Sequence, residues 1–376
     1  MICLNNSILW MWLNQKTEIS RTKQLKLFKE FKSIEAIYAA GVSDFSKYDF
    51  LSEREINNLC TKNADEMNYE YELLKKHNSF IISIDSENYP QMLKEISDPP
   101  TVLYCRGNNI NLNDRLCIAV VGTRKATVYG KSVAFNLSRN LASQGVVIVS
   151  GMAMGIDSKA HEGAIFAKAP TVAVIGCGVN VVYPKVNSEL MRNIIKTGMV
   201  ISEYPLGSRP AKFHFPERNR IISGLCQGTV VVEADIKSGS LITAKSSYEQ
   251  GRDVFAVPGN INSLYSKGTN YLIKDGARVL TCDEDVLSYY RLDYAEKLIN
   301  SSFEYERVPE DDINENETNG KAPEDIILSV ISEAPVHIDT ICEKSGLDLG
   351  YINSVLMLME LRGKIIKLPG GFYQKS

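Results

Sequence analysis

The hydrophobic pattern changes character three times along the chain. Up to about residue 75, apolar positions recur at three- and four-residue spacing in short stretches (7–14, 22–31, 33–39 and 52–61) with turn residues between them. That is the pattern of a small all-α module, of the SAM or helix-hairpin-helix kind, whose cheaper reading is a structural cap with Trp10 and Trp12 in its core. From Phe80, short continuous apolar runs take over. Phe80–Ile84 and Thr101–Cys105 read as strands around a helix at 89–96 that Pro90 opens. Six more strand-like runs follow at 117–121, 146–150, 171–176, 199–202, 229–233 and 253–257, with helical patterns between most of them, the clearest at 128–143. This alternation predicts an α/β fold: an extended Rossmann-like, doubly wound, mostly parallel sheet with helices on both faces.

Beyond residue 292 the apolar pattern stops, and the stretch to 321 is acidic and poor in large apolar side chains. It reads as a linker. Helical spacing returns at 323–332, 337–344 and 349–362, and 365–373 reads as a hairpin; three helices and a hairpin predict a winged helix. Between Asp348 and Glu360 its third helix has no lysine or arginine to offer DNA, and Glu324, Asp325 and Glu333 make its start acidic. A regulatory or protein-binding role is expected of it. The division is therefore a helical module at 1–75, the main domain with its lead-in at 76–292, the linker at 293–321 and the winged helix at 322–376.

Composition narrows the classes. With 44% hydrophobic and 23% charged residues the chain is ordinary for a globular protein. No apolar run reaches the roughly 18 residues of a membrane span, and the start lacks the basic and apolar regions of a signal peptide, so a cytoplasmic protein without membrane contact is expected. The eight cysteines are scattered singly, which argues against disulfides and a zinc site; no metal and no cofactor are expected. A net charge of −3 does not announce a nucleic-acid binder. Screening over about 8 Å nevertheless lets a local basic patch act on its own.

Candidate chemistry gathers in turns that follow strands, where open α/β sheets bind ligands. Gly122, Thr123 and Arg124 put a hydroxyl and a guanidinium beside a helix start, which already favours an anion. Gly151–Asp157 is a second glycine turn. Gly176-Cys177-Gly178 resembles a dinucleotide fingerprint, but Val181 stands where its third glycine belongs. The densest polar patch, Phe213 to Arg220, offers Phe215, Arg218, Asn219 and Arg220. These either stack bases and pair phosphates, or serve as core and structural ion pairs. Lys237, Ser238, Gly239 and Ser240 open a helix as a phosphate cradle without the order of a P-loop. Glu233 is expected to hold an arginine, Asp157 to cap its helix and His161 to pack in the core. The turns suit holding phosphates rather than breaking a bond.

Several of these segments together resemble the DNA-processing protein A (DprA/Smf) family. They are Val121–Arg124; Ser150–Asp157 with Ala160 and His161; Gly176–Gly178 with Tyr183 and Pro184; Ser202–Pro205; Phe215–Leu225; Lys237–Ala244; and Phe255–Asn260 with Gly268–Asn270. They run in order over about 115–280. The resemblance implies a single-stranded DNA-binding mediator without enzymatic activity, which protects incoming strands in natural transformation and loads the RecA recombinase as a homodimer. It also implies DNA contacts at Arg124 and, less directly, at Lys185, Arg218, Arg220 and Lys237. The rival class is a phosphoribohydrolase that cleaves nucleotide monophosphates. Its Pro-Gly-Gly-x-Gly-Thr-x-x-Glu turn is incomplete here: Gly228 and Thr229 lack the leading glycines, and Glu233 falls one residue late. A transcription factor led by the winged helix is a weaker third reading.

Overall fold

The computed structural model describes residues 5–299 and, in the tail, 323–331, 335–345, 352, 355, 356, 359, 360, 364–368 and 371–375. Residues 1–304 form one compact unit and 305–376 another.

Six helices open the first unit: α1 (Asn6–Gln15), α2 (Arg21–Phe31), α3 (Ile34–Ala39), α4 (Val42–Phe45), α5 (Glu53–Cys60) and α6 (Ala64–Lys76). Polar caps set their starts. Ser20 accepts from the Lys23 amide and Ser33 from the Ala36 amide, while Ser52 and Glu55 close a reciprocal capping box. Helix α6, which the apolar spacing does not single out, begins at a capping Asn63. It carries Asp65 and Glu66 in its first turn and Lys75 and Lys76 in its last, complementing its dipole.

The sheet follows as β1 (Ser79–Ser83), α7 (Gln91–Lys94), β2 (Val102–Gly107), β3 (Cys117–Val121), α8 (Val128–Ser143), β4 (Val147–Ser150), α9 (Ile156–Phe166) and β5 (Thr171–Val174). It continues with α10 (Ser188–Thr197), β6 (Met199–Ser202), α11 (His214–Gly224), β7 (Gly228–Val231), α12 (Ser240–Glu249), β8 (Asp253–Ala256), α13 (Lys267–Lys274), β9 (Arg278–Val279) and α14 (Glu284–Ile299). The nine strands lie in the order β1-β2-β6-β5-β4-β3-β7-β8-β9. From β6 to β9 neighbours are parallel, whereas β2 runs antiparallel to both β1 and β6.

Both faces are covered, as buried strands without alternation require. Successive residues of β3 divide between two cores: Cys117, Ala119 and Val121 join one, Ile118 and Val120 the other. The first core runs without a break from Ile8, Trp10 and Leu13 of α1 to the sheet, so the helical module shares its interior with the main domain. Trp10 and Trp12 are buried there.

After β3 the chain builds β4, β5 and β6 outward on one side, then returns to place β7, β8 and β9 on the other. The reversal between β3 and β7 is a topological switch point, which opens a crevice at the strands' carboxyl ends. Helix α14 runs through residues 293–299, and 300–321 of the predicted linker lie outside the described residues.

The second unit contains α15 (Pro323–Val330), β10 (Val336–His337), α16 (Ile338–Ser345), β11 (Ile365–Leu368) and β12 (Phe372–Lys375). Its three-stranded sheet has the order β10-β12-β11 around a core that includes Ile327, Ile341, Leu356 and Tyr373. Most of the third helix expected at 349–362 falls outside the described residues.

Candidate nucleic-acid interface

Strand β3 ends against the turn of Gly122, Thr123 and Arg124, which is pinned from both sides. The Thr123 amide donates to the Glu233 carbonyl at 2.8 Å, and the Ile156 amide donates to the Thr123 carbonyl at 3.3 Å. A Cβ on Gly122 would meet Ile156 Cγ1 at 2.5 Å, and Gly155 (φ +86°) lies against the carbonyls of Thr123 and Arg124. The two glycine turns thus interlock, and Arg124 projects from their junction, exposed.

Glu233 does not hold an arginine. Its carboxylate accepts from the Thr127 amide at 2.9 Å and from the Thr127 hydroxyl at 2.5 Å, and Thr127 caps α8 by accepting from the Gly130 amide at 3.0 Å. Asp157 also differs from expectation. It lies in the first turn of α9 rather than at its cap, and accepts from the Ala153 amide at 3.4 Å to close the preceding loop. Burial pushes its carboxyl above the ordinary range, and Arg218 beside it opposes the shift. His161 is core, as expected. Its Nδ1 lies 2.8 Å from the Thr171 hydroxyl, which donates to the Ile148 carbonyl at 2.7 Å, so Nδ1 carries the hydrogen. Burial lowers its pKa to about 3, and the ring is neutral.

The two arginines of α11 separate. Arg218 is buried, and its Nη1 donates to the Gly151 carbonyl at 2.9 Å and to that of Val174. Burial lowers its pKa to about 10, with Asp157 pulling it back up and Arg124 adding to the drop. Arg220, read from sequence as a phosphate contact, turns the other way. It donates to the Asp98 carbonyl at 2.7 Å and pairs with the carboxylates of Glu203 and Asp98, which commits its guanidinium away from the crevice. For Arg220 the ion-pair alternative is the observed one.

At the switch point these elements enclose a groove of about 640 Å³. It brings together Gly122, Thr123, Arg124, Phe215, Arg218, Asn219, Ser238, Gly239 and Ser240 from three segments far apart in sequence. Arg124 lies over the Phe215 ring at 5.5 Å, and Phe215 packs on Tyr183 with centroids 5.5 Å apart. Asn219 Nδ2 donates to the Gly239 carbonyl at 3.4 Å, tying α11 to the loop that opens α12. Lys185 and Lys237 are exposed nearby but do not line the groove.

Sequence reading missed Lys212 and Tyr183 as lining residues. Lys212 directly precedes the aromatic patch, and Tyr183 enters the sequence reading only within the Tyr183-Pro184 motif, with no contact assigned to it; only the fold brings either to the groove. Among the described residues that line it, Arg124, Lys212 and Arg218 face a single acid, Asp157. Cations on the rim, aromatic rings within reach and the N-terminus of α12 can together hold phosphates while bases stack. Among the described residues no cluster of His, Cys, Asp and Glu is placed to bind a metal, and no helix is long and apolar enough to cross a membrane.

Fold and groove define a class: a doubly wound α/β protein with a basic, aromatic-lined trough at its switch point. Comparison with known proteins makes this specific. The family described as DNA recombination-mediator protein A matches residues 80–291, and the DprA winged helix domain matches 314–371. The chain belongs to the DNA recombination-mediator protein A family, as its motifs anticipate.

It is 46% identical over 205 residues to DNA processing protein DprA of Bacillus subtilis, covering 54% of this chain and 69% of the relative. Protein Smf of Escherichia coli is 35% identical over 306 residues, covering 80% of this chain and 78% of the relative. The X-ray structure of DprA from Streptococcus pneumoniae superposes with a TM-score of 0.68 at 36% identity, covering 76% of this chain and 98% of that one. DprA from Helicobacter pylori, whose single-stranded DNA binding mode has been described structurally, gives 0.53 at 33% identity over 57% of this chain and 97% of that one.

Proposed function

We propose that this protein is a single-strand DNA-binding recombination mediator and that the switch-point groove is its DNA site. The observation that carries the reading is the placement of Arg124 over Phe215, beside Lys212 and the start of α12. This offers a strand both backbone cations and a ring on which to stack. In this reading Arg124 and Lys212 pair phosphates, and Phe215 and Tyr183 stack bases. Gly122, Thr123, Ser238, Gly239 and Ser240 supply backbone and hydroxyl donors. Arg218 keeps the floor cationic, Asn219 holds the α12 loop in place, and Lys185 and Lys237 extend the rim. Arg220 acts behind the groove.

In this reading the protein works without chemistry of its own: Asp157 and Arg218 offset each other, His161 is buried and neutral, and the Glu233 carboxylate is engaged by Thr127. Among these groups a phosphoribohydrolase has none left to act as its base. The family supports the remaining roles: protection of incoming strands during natural transformation and loading of RecA, by a cytoplasmic homodimer.

Fluorescence anisotropy tests the site with oligo-dT, duplex DNA and nucleotide monophosphates, each at two salt concentrations. Single strands should bind best. Arg124→Ala should weaken them about tenfold or more, as expected for a charge-assisted hydrogen bond, and lower the salt slope by about 0.7. Hydrolysis of the nucleotide, with single strands binding no better than duplex, would sink the proposal.

A further inference from the structure

One side chain of the helical module, Arg21, reaches the back of the groove. Arg21, the first residue of α2, spreads its guanidinium over three carboxylates from three different segments. Nη1 donates to Glu203 at 2.6 Å, at the end of β6. Nε lies 3.3 Å from Asp98, in the loop before β2, and Nη2 lies 3.6 Å from Glu217 on α11. Arg220 of α11 meets the same Glu203 and Asp98 from the other side. Two cations and two anions therefore alternate around a closed ring, with the Glu203 side chain only 3% exposed.

The ring is costly to assemble. Burial pushes the Glu203 carboxyl upward, and Arg220 and Arg21 act against that shift. Burial likewise works against the Arg21 charge, but Glu203, Asp98 and Glu217 outweigh it and hold its pKa above the ordinary value. A buried ion network of this kind adds little net stability, because desolvation offsets the attraction. What it fixes here is α11. Glu217 and Arg220 sit on the ring side of that helix, and Phe215, Arg218 and Asn219 line the groove. Tyr204 strengthens the same seam, donating to Glu217 at 3.0 Å while its ring stacks on His214 at 3.9 Å.

We infer that Arg21 is a positioning residue for DNA: by clamping Glu203, Asp98 and Glu217 it sets α11, and through α11 the helical module forms part of the binding site without touching the strand. The inference rests on the groove being the DNA site. It commits Arg21 to acting by geometry, as opposed to a direct phosphate contact or simple charge balance. A phosphate contact would change the salt dependence. Charge balance would be met equally well by lysine, which cannot reach three carboxylates in one plane.

The test uses the full chain and anisotropy with oligo-dT, alongside thermal unfolding to confirm that each variant is folded at the assay temperature. Arg21→Ala and Arg21→Lys should each weaken binding about tenfold with an unchanged salt slope. In a Phe215→Ala background the same changes should cost less than about twofold, because the ring they position is gone. Glu217 is partly exposed, so Glu217→Ala provides a variant that folds even if Arg21→Ala does not. It should also weaken binding, although removing an acid beside a polyanion would by charge alone strengthen it.

The inference is overturned by wild-type affinity in Arg21→Ala, by full recovery in Arg21→Lys, by a salt slope lower by about 0.7, or by tighter binding in Glu217→Ala. If the wild type itself shows no preference for single strands, the groove assignment fails instead, and the two failures are told apart in one experiment.

Discussion

Arg218 and Arg220 show how far a residue's role depends on its place on a helix. Two positions apart, they project about 200° from one another, so one helix cannot turn both toward the same groove. The sequence offers two equivalent arginines. Only the packing of α11 decides that the first reaches Gly151 and the second Asp98. Arg124 is legible for the opposite reason, since a turn at a strand's end projects its side chain whatever packs below.

Gly155 tests how such a turn is held. It sits at φ +86° with the Arg124 carbonyl 2.8 Å from where a Cβ would stand. Gly155→Ala should cost about 1–3 kcal/mol of stability and weaken DNA binding further by displacing the Arg124 turn. Chemical unfolding and anisotropy measure the two effects, and unchanged values in both would show that the turns do not interlock.

His161 makes a pH-dependent prediction. Its folded pKa is lowered to about 3 against an ordinary 6.5, so below 6.5 the unfolded chain binds a proton that the fold refuses. The contribution is complete above pH 6.5 and is lost as pH falls toward 3, at up to about 1.4 kcal/mol per pH unit. In urea unfolding at pH 4, 5 and 6, His161→Asn should remove that much of the slope; an identical slope would refute the account.

Elements were largely readable. Helix α8 lies where the spacing puts it, and the central strands fall within their apolar runs, except that β7 starts one residue earlier at Gly228, because buried parallel strands are continuous in a way that turns interrupt. Strand direction was not readable. Phe80–Ile84 and Thr101–Cys105 look like the others, yet β2 runs antiparallel to both its neighbours. An apolar run carries no sign of which way its partner points. The partner of Glu233 was hidden too, since Thr127 is 106 residues away in the chain and meets it only because β3 and β7 are adjacent. Here the cap and the switch point depend on each other. Thr127→Ala removes the α8 cap and strands part of a buried carboxylate, so it should cost about 1–2 kcal/mol, more than an exposed cap. Thr127→Ser should restore most of it, and a loss in serine equal to that in alanine would show that the hydroxyl is not what matters.

At the scale of the whole molecule, the two ends of the chain stand in different relations to the groove. The N-terminal helices share one core with the sheet, α1 packs on β1 and β2, and Gln24 of α2 accepts from the buried Thr101 hydroxyl at 3.0 Å. Removing them would strip apolar cover from Ile82 and Tyr104, so a chain starting near residue 76 should be poorly soluble or unfold at much lower temperature. The tail is different. Residues 305–376 form a separate unit with a core of their own, in which Ile327, Ile341 and Tyr373 are buried against one another. Among the described residues, those lining the groove all belong to the first unit. A chain ending at 304 should therefore keep the melting temperature of the first unit and bind oligo-dT within about twofold of the full chain, since an affinity change of that size is only about 0.4 kcal/mol. Calorimetry and anisotropy on the two chains decide the matter. A tenfold loss of affinity would assign the tail a direct part in holding the strand, whereas unchanged affinity leaves it free for the regulatory or protein-binding role that its acidic first helix suggests.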